Sequence, residues 1–206
     1  MRLFVATKNP GKLRDFANAA QGQLRARQPV VVEPLPGLDG IRAPEEVGLT
    51  FSANAVAKAL YYSGRARGRM VLADDSGLEV DALKGQPGVR SARFADDMGF
   101  ELESGAPVDE RNNACLLSLM GRETFALRTA RYHCFLALAC DGQVLAIGEG
   151  TVEGRILGAP RGAHGFGYDP LFYVLERDMT MAELNPEARL SVSHRGRALR
   201  NLLEKL

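Results

Sequence analysis

The alternation of strand-like and helix-like segments near the start of the chain constrains the fold most. Residues 2–6, RLFVA, form an apolar run typical of a buried strand. Residues 9–21 follow with helical spacing of apolar residues, after an N-cap at Asn9 and a proline at the first helical position. The same succession returns in the strand-like segment 29–35 and the helix-like segment 50–64. Such alternation predicts an α/β fold, because helices then cover the faces of a sheet.

The middle of the chain departs from this alternation. Residues 130–140 and 143–157 are both strand-like, and Asp141-Gly142 between them is typical of a two-residue hairpin turn. A hairpin adds antiparallel strands, so the sheet should be mixed. The other predicted elements are strands at 70–74, 78–83 and 170–174, a helix at 109–121, and a helix at 193–206 with Ser193 as its N-cap. The 206 residues show no internal repeat or low-complexity linker, which favours one domain over 1–206.

Composition excludes several classes of protein. The formal net charge of +1 argues against a nucleic-acid-binding protein that works by bulk charge. No apolar run approaches the roughly 18 residues that a membrane span needs, and the N-terminus is too short in apolar residues for a signal peptide. The three cysteines lack metal-binding spacing and indicate reduced thiols. We therefore expect a cytoplasmic protein with neither a membrane nor a nucleic-acid partner.

The segment ATKNPGK at the first strand-to-helix junction is a candidate phosphate site. Free backbone N–H groups and the positive end of the helix dipole favour anions there, and Lys8 and Lys12 add charge. The segment is not a Walker A loop, because G-x-x-x-x-G-K-[ST] is absent. The alternative is an ordinary helix cap with two surface lysines.

Paired carboxylates follow the apolar run MVLA at residues 70–73. Ligands of open α/β sheets bind beyond the carboxyl ends of strands, so Asp74 and Asp75 are candidates for a Mg²⁺ site. Adjacent residues of an extended chain point to opposite faces, so one carboxylate can face a ligand while the other supports it. Glu45 or Glu46, before the second helix, could complete the site. The alternative is a turn capped by aspartate and Ser76, whose use as a nucleophile is disfavoured because G-x-S-x-G is missing.

Two long glycine-rich stretches, 84–108 and 158–169, are predicted to be loops and candidates for function. In the second, Phe166 and Tyr168 could stack on a base, and Asp169 could accept hydrogen bonds from ring N–H groups. The alternative is a tight turn whose aromatic rings pack in the core.

Six motif blocks occur in a fixed order over essentially the whole chain: ATKNPGK, EEVGLTFSANAVAKA, LADDSGLEVDAL, GQPGVRSARF, GFGYDPLF and SHRGRAL. Together they resemble the noncanonical purine NTP pyrophosphatases, the HAM1-like or inosine triphosphate pyrophosphatase family. The resemblance implies an elongated mixed β-sheet with flanking helices and two lobes around a central active-site cleft. It also implies Mg²⁺-dependent cleavage of the α–β bond of ITP, dITP and XTP to a nucleoside monophosphate and pyrophosphate. Such an enzyme clears deaminated purines from the nucleotide pool and is usually a homodimer.

The resemblance also implies residue roles. Asp75 is the catalytic proton acceptor and a metal ligand, and Glu46 is preferred to Glu45 as the second metal ligand. The substrate-binding positions are Thr7, Lys8, Asn9, Pro10, Gly11, Lys12, Ser76, Phe166, Gly167, Tyr168, Asp169, Arg189, His194 and Arg195. Two positions depart from the family pattern: Arg189 stands where bacterial members usually have lysine, and Lys8 where many have glycine. Arginine keeps the charge, but it is a planar fork and not a compact point charge.

Two other functions are compatible with parts of this pattern. A Maf-like pyrophosphatase acting on pyrimidines shares the architecture but should lack the GFGYDP and SHR blocks. A nucleotide- or RNA-binding module without catalysis would leave the Glu45-Glu46 and Asp74-Asp75 pairs unexplained.

Overall fold

A computed structural model describes residues 1–21, 29–102 and 105–206. The strands are β1 Arg2–Val5, β2 Val31–Pro34, β3 Val71–Val80, β4 Thr129–Cys140, β5 Gln143–Ile156, β6 Phe172–Val174 and β7 Met179–Thr180. The helices are α1 Pro10–Gln21, α2 Phe51–Ser63, α3 Phe94–Asp97, α4 Val108–Met120, α5 Pro186–Val192 and α6 His194–Leu203. No helix within these described parts is long and apolar enough to cross a membrane.

The strands form one mixed sheet in the order β2-β1-β3-β4-β5-β6-β7. Strand β1 is parallel to both β2 and β3, whereas β6 is antiparallel to β5 and β7. The predicted α/β class, with a mixed sheet and flanking helices, is confirmed. The two lobes around a central cleft, and the single domain over 1–206, stay predictions.

Two compact units can be described separately. The first unit comprises Met1–Asp75, Cys134–Thr151 and Val192–Leu206, and the second comprises Ser76–His133 and Val152–Ser191. In the first unit, small side chains of α2 pack against β3 and β4, with Ala55, Ala59, Val71, Ala73 and Ala137 all buried in one cluster. In the second unit, the largest buried side chains include Phe94, Leu116, Leu171 and Phe172.

The two predicted helix N-caps and the predicted hairpin turn are confirmed. Asn9 Oδ1 accepts hydrogen bonds from the N–H groups of Gly11 and Lys12 at the start of α1, and Ser193 Oγ accepts one from Gly196 in α6. The hairpin turn between β4 and β5 has positive φ at both Asp141 (49°) and Gly142 (77°), as its sequence predicted.

The prediction of two strands at 70–74 and 78–83 is wrong, because β3 is one strand that contains Asp74 and Asp75. The parallel register with β1 ends at Val5 opposite Leu72, so the two carboxylates lie beyond the carboxyl end of β1 and not at the tip of their own strand. Buried charge did not end the strand because each carboxylate has a cationic partner, described below.

Other boundaries also differ from expectation. Helix α5 was not predicted, although Asn185 Oδ1 caps it by accepting from Ala188 N–H, with Pro186 next in sequence as Pro10 follows Asn9. The last helix ends at Leu203 and not at residue 206. The stretch 84–108, predicted as a loop, holds 3₁₀ turns at Gly88–Arg93 and then α3; its residues 103 and 104 lie outside the described residues.

Candidate active site

The loop between β1 and α1 directs one of its two lysines to buried carboxylates. Thr7 Oγ1 accepts a hydrogen bond from Asn9 N–H at 3.2 Å, which closes the turn before the helix. Lys12 Nζ lies 2.8 Å from Asp74 Oδ2, whereas Lys8 is exposed and lies 3.8 Å from Asp39 Oδ1. The surface-lysine alternative therefore describes Lys8, and Lys12 belongs to a charged cluster of the first unit.

Asp74 is a buried carboxylate held in its ionised form. Burial opposes its charge, but Lys12, Lys58 and Arg195 outweigh that effect and hold the pKa of Asp74 well below its usual range. Arg195, the second residue of α6, pairs with Asp15 through Nη1 and Oδ2 at 3.1 Å. Both His194 and Arg195 are buried. This face of β3 therefore carries an ion-pair network formed with α1 and α6.

Asp75 takes its partners from a different helix. Its Oδ1 lies 3.3 Å from Lys58 Nζ, and its Oδ2 accepts a 3.0 Å hydrogen bond from Asn54 Nδ2, both on α2. Asp74 thus pairs with a side chain of α1, whereas Asp75 bonds to side chains of α2, as expected for adjacent residues that point to opposite faces of a strand. Burial raises the pKa of Asp75, with Glu46 adding repulsion, although Lys58 and Asn54 act in the opposite direction. A raised pKa makes this carboxylate a stronger base.

Glu46 and Asp75 converge on one ammonium group. Lys58 Nζ lies 3.2 Å from Glu46 Oε1 and 3.3 Å from Asp75 Oδ1. Burial works against the charge of Lys58, but Asp74, Asp75 and Glu46 together raise its pKa. Of the two candidate glutamates, Glu46 is the one that shares this cation with Asp75.

The same pair of carboxylates suits a hard cation. Among residues 1–21, 29–102 and 105–206, no three His, Cys, Asp or Glu side chains form a metal-binding cluster. Two converging carboxylates nevertheless match the coordination preference of Mg²⁺, which is bound through one or two carboxylates plus waters and substrate phosphates.

In the second unit, Asp169 organises the loop that the sequence assigned to base binding. Its Oδ1 accepts a hydrogen bond from Tyr132 Oη at 3.0 Å, and its Oδ2 accepts one from Phe166 N–H at 3.2 Å. Arg189 Nη1 lies 3.9 Å from the same Oδ2. Asp169 is therefore engaged by its own loop, by β4 and by α5.

Helix α4 binds both backbone groups of Gly167. Asp109 Oδ2 accepts from Gly167 N–H at 2.7 Å, and Asn113 Nδ2 donates to Gly167 O at 3.0 Å. Tyr168 is buried, and its hydroxyl donates to Ser91 O, which favours the packing alternative for this ring. Phe166 is half-buried.

Several functional candidates were not found from the sequence, namely Asn54, Lys58, Asp109 and Asn113. Asn54 and Lys58 are four residues apart on α2, and Asp109 and Asn113 are four residues apart on α4, so each pair lies on one face of its helix. A polar pair in the otherwise apolar face of α2 was the available signal. Ser76 follows Asp75 within β3, and Pro10 and Gly11 begin α1 beside Lys12.

Comparison with known proteins agrees with the fold and the motif order. The family model described as the Ham1 family matches residues 3–205. The dITP/XTP pyrophosphatase of Acidobacterium capsulatum is 52% identical over 207 residues, covering 100% of this chain and 98% of the relative. The enzyme of the same name from Geobacillus kaustophilus is 48% identical, covering 98% and 93%.

Solved structures agree as well. A HAM1 protein from Coxiella burnetii has a TM-score of 0.79 at 34% identity, covering 99% of this chain and 97% of that one. The Staphylococcus aureus Ham1 protein has a TM-score of 0.78 at 36% identity with the same coverage. With its motifs in order, its mixed sheet and a family match over nearly every residue, this chain belongs to the Ham1 family.

Proposed function

We propose that the protein hydrolyses the α–β phosphoanhydride bond of ITP, dITP and XTP, releasing a nucleoside monophosphate and pyrophosphate. Family membership and the dITP/XTP pyrophosphatase name of its relatives support this reaction. The structural observation that carries the proposal is that Asp75 and Glu46 both pair with Lys58. Asp74, the neighbour of Asp75 on β3, pairs with Lys12. Paired carboxylates with adjacent lysines suit a metal-assisted reaction of phosphates.

We propose Mg²⁺ as the cofactor, held by Asp75 and Glu46. When bound, the cation would neutralise phosphate charge and polarise the phosphorus–oxygen bonds. Lys58 now pairs with the carboxylate oxygens of Glu46 and Asp75. When substrate binds, its ammonium group would pair with phosphate oxygens in their place.

The chain's own groups then have distinct tasks. Asp75 would accept a proton from the water that attacks the α-phosphorus. Lys12, and Arg189 by its family position, offset the negative charge of the departing pyrophosphate. Residues 7–12 bind phosphates near the start of α1, where unpaired N–H groups and the helix dipole favour anions.

Base recognition is assigned to the second unit. Phe166, Gly167, Tyr168 and Asp169 match the family's F-G-Y-D motif, and the hydrogen bonds of Asp169 keep its loop ordered. His194 and Arg195, of the S-H-R motif, belong to the first unit and are assigned to the base and phosphates of the substrate by the same resemblance. Ser76 is assigned to the substrate in the same way.

We also propose a homodimer that works in the cytoplasm. Exposed apolar side chains on β5, including Val144 (38% exposed) and Leu145 (49%), are candidates for a contact between copies. Light scattering after size-exclusion chromatography would separate a dimer from a monomer of 22.3 kDa.

A product assay tests the proposed reaction. The protein is incubated with ITP, XTP, dITP, GTP, ATP and pyrimidine triphosphates, with Mg²⁺ or with a chelator, and the products are resolved. We expect monophosphate plus pyrophosphate from ITP, dITP and XTP, little product from GTP and ATP, and none with the chelator. Diphosphate plus phosphate would show attack at the γ position and refute the mechanism. Turnover of pyrimidines alone would favour a Maf-like activity.

A further inference from the structure

We propose that Asn54 is a positioning residue that holds the segment bearing Glu46 against Asp75. This inference rests on the proposed role of these two carboxylates in binding a divalent cation. Asn54 lies in the first turns of α2 and is only 3% exposed. A buried carboxamide needs partners for its donors and its acceptor, so the partners of Asn54 reveal its task.

Within the described residues, the hydrogen-bond partners of the Asn54 side chain all belong to the carboxylate site. Its Nδ2 donates to Asp75 Oδ2 at 3.0 Å and to Gly48 O at 3.2 Å. Its Oδ1 accepts from Gly48 N–H at 2.8 Å. One side chain therefore joins β3 to the segment in which Glu46 stands two residues before Gly48.

Apolar packing does not hold this segment. Val47 is 80% exposed and Leu49 is 93% exposed, so the residues on either side of Gly48 bury little surface. The position of Glu46 therefore depends on polar contacts, namely the two bonds from Asn54 to Gly48 and the ion pair with Lys58.

The close approach also explains why residue 48 is glycine. A Cβ at this position would lie 3.0 Å from Asn54 Cγ and 3.1 Å from Ala53 Cβ, and it would overlap Asn54 Oδ1. Any larger residue must push the carboxamide away from the backbone and loosen its bonds.

Asn54 also orients the carboxylate of Asp75. Because Oδ2 accepts the bond from Asn54, Oδ1 is the oxygen that pairs with Lys58, the ammonium group that Glu46 shares. Removal of the carboxamide would free Asp75 to rotate and would release Glu46. Loss of a residue that orients metal ligands typically lowers metal affinity by about 10–100-fold.

The decisive measurement is the affinity for Mn²⁺ without nucleotide, determined by electron paramagnetic resonance on the full-length protein. The variants are Asn54→Ala, Gly48→Ala and the matched control Asn112→Ala. Asn112 is also 3% exposed on a helix, and its Oδ1 accepts from Ala95 N–H at 2.8 Å. Its Nδ2 donates to the backbone carbonyls of Ser91 and Ala92 and not to a carboxylate. Urea unfolding of each variant gives the accompanying loss of stability.

We expect both asparagine variants to unfold at a lower urea concentration than the wild type, because each leaves unpaired backbone groups behind. Only Asn54→Ala and Gly48→Ala should bind Mn²⁺ about 10–100-fold more weakly than the wild type. The same two variants should need correspondingly more Mg²⁺ for half-maximal turnover of ITP. If Asn54→Ala does not fold, Gly48→Ala carries the test, because it keeps the carboxamide.

Two results would overturn the inference: wild-type protein that binds no Mn²⁺, or variants at 48 and 54 that bind it as Asn112→Ala does. The product assay on the wild type keeps this separate from the proposed function. A wild type that makes monophosphate and pyrophosphate while Asn54→Ala binds Mn²⁺ normally would refute only the role of Asn54. A wild type without that activity would refute the proposed reaction, whatever the Mn²⁺ affinities.

Discussion

The first and second units anchor their functional segments in parallel ways. In the first, Asn54 of α2 binds both the N–H and the C=O of Gly48. In the second, Asp109 and Asn113 of α4 bind the same two groups of Gly167. In each case helix side chains satisfy a loop's backbone, so a helix sets the position of a loop that carries candidate functional residues.

The two glycines are required for different reasons. Gly48 is required by space, because a Cβ there would overlap the carboxamide of Asn54. Gly167 has φ +63°, a backbone conformation that L side chains rarely adopt, while a Cβ there would have no described residue other than its two chain neighbours within 4 Å. Asn54, which holds Gly48, also bonds to the carboxylate of Asp75, whereas Asp109 and Asn113 bond to the backbone of Gly167. Substitutions at the two places should therefore change different measured properties.

The largest effect is expected from Asp75→Asn, which removes the proposed proton acceptor and one proposed metal ligand of the first unit. We expect the kcat for ITP to fall by about 10²–10⁴-fold. The neighbouring Asp74→Asn is the matched control, because both side chains belong to residues that are 5% exposed. The control should lose less, since Asp74 acts through Lys12. A larger loss from Asp74→Asn in the product assay would reverse the two assignments.

The anchor of the second unit should affect recognition more than chemistry. The double variant Asp109→Ala/Asn113→Ala removes both bonds to Gly167, each worth about 0.5–1.5 kcal/mol. We expect about a tenfold rise in KM for ITP, little change in kcat and unaltered affinity for Mn²⁺. The single variant Asp109→Asn keeps an acceptor oxygen for Gly167 N–H and leaves Asn113 in place. Its KM for ITP should therefore be much closer to that of the wild type than to that of the double variant. Steady-state kinetics that show kcat falling with constant KM would contradict this division between the units.

The contrast between the two glycines predicts two different costs. Gly167→Ala should lose about 1–2 kcal/mol of stability because a Cβ disfavours positive φ. It should leave Mn²⁺ binding intact. Gly48→Ala should do the reverse, with its main effect on Mn²⁺ affinity. Urea denaturation beside Mn²⁺ titration of both variants makes the comparison, and equal profiles would remove the distinction.

The smallest effect concerns Asp81, which follows β3 in the second unit. Hydrogen bonds from Thr129 and Arg131 lower the pKa of Asp81. Burial, in contrast, raises the pKa of Asp75 within β3. A carboxyl with a lowered folded-state pKa stabilises the fold above its unfolded value of about 3.9 and loses that contribution as the pH falls through the folded value.

Wild type should therefore exceed Asp81→Asn in stability at pH 6, and the difference should shrink as the pH falls below about 3.9 and through the lowered folded-state value. Its size should be roughly 0.2–1 kcal/mol, since the side chain of Asp81 is 44% exposed and solvent screens the ion pair. Urea unfolding at several pH values measures it. A difference that grows on acidification would contradict the sign.

The sequence alone determined the features that depend on neighbours along the chain. Asn9 and Ser193 were recognisable caps, Asp141-Gly142 a recognisable turn, and alternation of segments predicted the α/β class, because these signals act over a few residues. The motif blocks also led to the candidate carboxylates Asp75 and Glu46 and to Lys12.

Only the tertiary structure decided how those groups are arranged. Whether β3 ends at the aspartates or continues through them depended on Lys12, Lys58 and Asn54, which approach from two helices. Glu46 and Asp75 lie 29 positions apart in sequence, and a single ammonium brings them together. Burial in a low dielectric strengthens these pairings and makes an unpaired carboxylate costly, and burial is a property of the packed molecule that no local pattern specifies.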